Sequence, residues 1–156
     1  MTADLVAFLR ARLDEDEAVA RAAFPAPWTR RDHVAGVHAD DATQERPFGS
    51  AVADCRRVPG GFGYGTANAD HIARHDPARV LAEVEAKRQI VDSYATTLQA
   101  RESIRVRMRE VIGTDADEFG RLYRQESELI NKLDVLGPVL RSLALPCADH
   151  PDYPPQ

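Results

Sequence analysis

The chain has 156 residues, 44% of them hydrophobic and 29% charged, with a formal net charge of −5. That length allows one domain and argues against two, and the apolar fraction excludes wholesale disorder. The mild acidity excludes a broad electrostatic attraction to nucleic acid or anionic membrane, although a local basic stripe can survive it.

The first predicted element is a helix over residues 1–24. Asp4 reads as its N-cap, and Leu5, Val6, Phe8, Leu9 and Leu13 recur at helical spacing. Asp14, Glu15, Asp16 and Glu17 form a solvated acidic run, and Pro25-Ala26-Pro27 stops the helix. Trp28 follows as a plug at the start of the core. Arg10 and Arg12 interrupt the apolar residues, unlike the unbroken run of a secretory signal. No window approaches the ~20 apolar residues that span a bilayer. Cys55 and Cys147 are too few for a disulfide framework. A reduced, cytoplasmic protein is the expectation.

Residues 28–58 read as a short, irregular β-hairpin. Val34 and Val37 mark one strand and Val52 and Val58 the other. Two strands are marginal in water and must pack on helices. Residues 59–70 form a glycine-rich loop that ends in a short helical turn from Ala69 to Arg74. The glycines match neither the dinucleotide nor the P-loop spacing, so a connector is preferred to a phosphate cradle.

Residues 77–145 read as a long antiparallel helical hairpin. Asp76-Pro77 starts its first helix as N-cap and first helical residue, and the pattern runs on to Gly113. Thr114 is expected to cap the second helix, whose stripe is Phe119, Leu122, Leu129, Ile130, Leu133 and Leu136. Gly137-Pro138 is expected to break it, and residues 146–156, rich in proline, to form an extended tail. The fold class is mainly α: a long helical hairpin with an N-terminal helix and a small β-hairpin, in a single domain of residues 1–156.

Four islands carry a family resemblance: residues 5–17, 25–28, 71–88 and 143–153. The third reads HIARHDPARVLAEVEAKR and the last LALPCADHPDY. With these the chain resembles a family of uncharacterised proteins from actinobacteria and their phages. The resemblance implies a phage or mobile-element setting and brings no assigned activity or site. Family members often carry a cysteine-containing, zinc-like segment between the last two islands, and tend to have Tyr where Cys147 stands here. This chain has a cysteine-free helical stretch over residues 93–136 instead.

Several constellations could carry chemistry. His71 and His75 are one helical turn apart, and Cys147 with His150 could complete a tetrahedral zinc site if the tail returned to them. The plainer reading has the first pair packing the turn before Pro77 and His150 in a surface tail. Cys147, Asp149 and His150 hold the residue types of a thiol nucleophile, but sequence neighbours in a tail rarely orient one another for catalysis. Arg101, Arg105 and Arg109 recur every four residues and could follow nucleic-acid phosphates. Interspersed Glu102 and Glu110 favour a solvated face, or pairing with acids of the next helix. Glu83 and Glu85, like Glu126 and Glu128, are spaced by two, which splits them across a helix surface and disfavours a magnesium-dependent pyrophosphohydrolase.

Leu122, Leu129, Leu136 and Leu143 fall at sevens, with Leu133 and Leu140 as a second seam. Two helices this long are poorly covered by one short helix and a hairpin. A non-enzymatic interaction module follows as the first functional reading, with a second copy of the chain, a dimer first, or another protein as partner. No cofactor is expected unless the zinc set forms. Nucleic acid is the lesser expectation, and no membrane is involved.

Overall fold

A computed structural model describes residues 2–31, 36–47, 49–55 and 64–154. It is mainly α-helical with a small sheet. The elements are α1 (Thr2–Ala22), β1 (Trp28–Arg31), β2 (Gly36–Ala39), β3 (Ala51–Asp54), α2 (Tyr64–Arg74), α3 (Pro77–Val111) and α4 (Ala116–Ala144), followed by a 3₁₀ turn over Leu145–Cys147. They form two compact units: Met1–Leu13 with Ala86–Gln156, and Asp14–Glu85.

In the second of these, three antiparallel strands run in the order β1-β2-β3. Trp28 pairs with Ala39, Arg30 with Val37, and Val37 with Ala53, with an irregularity between Val37 and His38. Side chains alternate across a strand, so Val37 and Ala39 share a face. Val37, Cys55 and Ala69 form a buried cluster against which Trp28, Val52, Ala53, Ile72 and Ala73 pack. Trp28 thus plugs this small core, and its Nε1 donates to the Phe24 carbonyl at 3.0 Å. Arg30 of β1 pairs with Asp70 of α2 at 2.7 Å.

Two expectations change in this unit. The β-element has three strands, because Trp28–Arg31 forms one that lacks alternating β-branched residues and gains its place by covering the Val37 cluster. The helix before His75 begins at Tyr64, five residues earlier than Ala69, and so takes in part of the glycine-rich stretch. Ala69, 0% exposed, is the side chain that draws it onto the sheet. Val34, Val58 and residues 59–63 lie outside the described residues.

The other unit buries Val6, Phe8, Leu9 and Leu13 of α1, Val91, Tyr94 and Val111 of α3, and Leu133, Leu140 and Ala144 of α4. Asp4 sits inside the first turn of α1 and does not precede it. Asp115 caps α4 in place of Thr114. Its carboxylate accepts the Glu118 N–H at 2.8 Å, while the Thr114 hydroxyl donates to the Val111 carbonyl. Gly113, at φ +79°, makes the turn between the long helices.

The expected break at Gly137-Pro138 does not occur: α4 runs through Pro138 to Ala144. Pro138 lies on the exposed side, where water can serve the carbonyl that its missing N–H leaves unmet. Leu133 and Leu140, 8% and 1% exposed, hold the helix on both sides of it. The tail is also turned, not extended. Ala148, His150 and Tyr153 N–H groups donate to the carbonyls of Leu145, Cys147 and His150, and Phe8 meets both His150 and Tyr153 edge-on. Among the described residues no helix is long and apolar enough to cross a membrane.

Candidate functional site

The outward side of α4 is the first candidate. At about 100° per residue, the apolar positions from residue 129 onward run from Ile130 through Leu133, Leu140, Leu136 and Val139 to Val135. That arc covers about 220°, where one packed neighbour takes on the order of 100°. Lys132 and the side-chain-less Gly137 interrupt it. The inward part is buried at Leu133, Leu140 and Ala144, and Leu129, Leu136 and Leu143 are half-buried. Val135 is 70% exposed and Val139 37%. The heptad leucines therefore mark the border of the buried face, and the two valines beyond them were missed. Their signal was the width of the arc.

The arginines of α3 are held by carboxylates. Arg101 meets Glu126 of α4 at 3.3 Å and Arg105 meets the same carboxylate at 3.8 Å. Arg105 also approaches Glu102 at 3.8 Å, and Arg109 approaches it at 3.3 Å. Glu126, 16% exposed, is thus shared between two guanidinium groups. Beside it lies a cavity of about 260 Å³ lined by Met108, Ile112 and Phe119 together with Arg105, Arg109 and Glu126. A second, of about 290 Å³, lies where Tyr94 and Arg101 of α3 meet Asp134 and Arg141 of α4. Burial raises the Tyr94 phenol above its ordinary value, with Arg141 opposing the shift.

The proposed metal ligands fall as two pairs in different units. His71 in the last turn of α2 and His75 just past its end are exposed, with ring centroids 4.4 Å apart. Cys147 closes the 3₁₀ turn, and His150 is tied to Arg12, to Phe8 and to the Asp152 N–H. Among the described residues no group of three or more His, Cys, Asp or Glu stands together to hold a metal ion.

A model of a family of unknown function, DUF6221, matches residues 2–156. The chain belongs to the DUF6221 family. No curated protein and no solved structure matches it. The match takes in both compact units, so α4 and its exposed valines fall within the DUF6221 region.

Proposed function

We propose that the chain is a non-enzymatic helical interaction module that assembles with a second copy of itself through the outward side of α4. The reading rests on Val135, a β-branched aliphatic residue 70% exposed beside Val139 on an apolar arc too wide for one neighbour. An antiparallel approach of two α4 helices about a twofold axis near Gly137 sets Val135 of each against the partner's Val139. It also brings the two copies of Leu136 together. Such a surface is self-complementary, as a twofold interface requires. The resemblance of the four sequence islands to actinobacterial and phage proteins supports a cytoplasmic accessory factor of phage or mobile-element origin.

Light scattering behind size-exclusion chromatography tests the assembly. The chain elutes as a dimer, and Val135→Glu with Val139→Glu yields a monomer of unchanged helical circular dichroism. A chain that stays monomeric at high concentration, or a dimer indifferent to both substitutions, sinks the reading.

A further inference from the structure

Among the described residues away from α4, His71 in the last turn of α2 and His75 just past its end stand ring to ring. His75 follows Arg74, the last residue of α2, and its N–H donates to the Ile72 carbonyl at 3.1 Å, a turn that keeps its ring beside that of His71. Both rings are exposed, with centroids 4.4 Å apart and planes inclined at 43°. The Nδ1 of His75 lies 2.8 Å from the His71 carbonyl oxygen. A carbonyl only accepts, so this contact calls for a proton on Nδ1, and in the neutral ring the lone pair is then the one on Nε2. Metal-binding histidines are oriented in this way, through a hydrogen bond from the other ring nitrogen to a backbone carbonyl. The ring is thus preset for coordination without any metal in place. The helix terminus adds to this, because its partial negative charge favours a cation nearby.

We propose that His71 and His75 form a two-imidazole site for a divalent transition-metal ion, zinc or nickel being the class that suits neutral nitrogen donors. The neighbouring carboxylates are engaged: Asp70 holds Arg30 at 2.7 Å, and Asp76 accepts the Arg79 N–H at 2.9 Å. Magnesium and calcium, which need oxygen ligands, are not served by this pair. Among the described residues no third His, Cys, Asp or Glu joins it, so the ion keeps its remaining positions for water or a small exogenous donor. The site therefore differs from the four-ligand set with Cys147 and His150. It is also independent of any pairing through α4. Because the ligands bind as neutral imidazoles, acid weakens the site.

The test is titration of the chain, prepared without a histidine tag, with zinc chloride and with nickel chloride by calorimetry. One ion binds per chain. His71→Ala and His75→Ala each weaken binding by roughly tenfold or more, and His150→Ala leaves it unchanged. Nitrogen-detected NMR of the free chain shows His75 protonated at Nδ1, and both rings shift on adding zinc. The absence of saturable binding, or binding that survives the loss of both histidines with the helix intact, overturns the proposal.

Discussion

Arg107 of α3 grips Glu118 of α4 with two guanidinium nitrogens, Nε at 2.8 Å and Nη2 at 3.1 Å. The third, Nη1, reaches Glu110 at 2.9 Å. The hydrogen bonds to Glu118, then those to Glu110, hold the guanidinium above its ordinary pKa. The clasp stands next to the turn at Gly113 and joins the first turn of α4 to the last turns of α3. A planar fork matches a carboxylate where an ammonium cannot. Arg107→Lys is therefore expected to lower the melting temperature by a few degrees, and Arg107→Gln to lower it further. The gap between wild type and Arg107→Gln should narrow at high salt, because exposed charges are screened. Thermal melts at two ionic strengths check this, and equal melting temperatures for all three chains would count against the clasp.

Pro138 makes a second prediction with the opposite sign. It lies inside a continuous α4, where its missing N–H deprives the Asp134 carbonyl of a helical donor. Pro138→Ala supplies that donor and removes the ring from the preceding turn. Because the position is exposed at the rim of the cavity between α3 and α4, little packing is lost in exchange. The expected gain is about 1–3 kcal/mol in urea denaturation. Gly137→Ala should add to it by roughly 0.5–1 kcal/mol, since a Cβ there meets only Arg141 Nη1 at 3.8 Å. A loss of stability in Pro138→Ala would contradict a helix that runs through this position.

The same proline shows where a sequence stops informing. Proline deletes a donor, but the cost depends on whether the orphaned carbonyl faces water, which follows from burial and not from residue type. Asp76-Pro77 and Gly113 were legible because each acts locally, Asp76 through its carboxylate on the Arg79 N–H and Pro77 and Gly113 through their own backbone, and α3 begins and ends beside them. Trp28–Arg31 was not legible as a strand: its polar residues carry no alternating pattern, and its place is set by Val37, Cys55 and Ala69, distant in the chain. The adjacency of His71 and His75 is close to what helical spacing gives, although His75 lies one residue past α2, in a turn held by the Ile72 and His71 carbonyls. The sharing of Glu126 by Arg101 and Arg105 depends on how α3 registers against α4, which spacing within one helix does not encode.

Asp41 ties the β2–β3 connection together. Its carboxylate accepts the Ser50 hydroxyl at 2.6 Å and the Ser50 N–H at 2.5 Å, with Arg46 at 3.8 Å. These bonds, Ser50 first, hold its pKa below the ordinary 3.8. A carboxylate depressed in the folded state adds stability above its unfolded pKa, and that contribution is lost as pH falls through the folded value. Acid unfolding should therefore begin at higher pH, with a shallower limb, in Ser50→Ala, and Asp41→Asn should lose the contribution at neutral pH. Gly49 in the same connection has φ +73°, and a Cβ there would lie 2.1 Å from the Ala39 carbonyl oxygen. Gly49→Ala should cost more than the roughly 1 kcal/mol of an ordinary left-handed alanine, since backbone must also shift. A pH-melting series with these three variants checks the connection, and identical acid limbs in wild type and Ser50→Ala would refute the role of Asp41.

The tail is the last test, because its turns are built on one ring. Phe8, 6% exposed, meets Tyr153 edge-on at 5.5 Å and His150 at 5.7 Å, with the Arg12 guanidinium 5.5 Å from its centroid. Phe8→Ala removes a buried aromatic and should cost about 3–5 kcal/mol, whereas Tyr153→Ala removes a half-buried one and should cost about 1 kcal/mol. If the ring contact holds the tail to α1, the double variant should be less damaged than the sum, by roughly 0.5–1.5 kcal/mol. Hydrogen exchange then separates the two effects. In Tyr153→Ala the amides of His150 and Tyr153 lose protection while those of α1 keep it, because the helix retains its own bonds. Strict additivity in the cycle, together with unchanged exchange at His150, would show that the Phe8–Tyr153 ring contact does not hold the tail, leaving it to the turn hydrogen bonds and the contacts of His150.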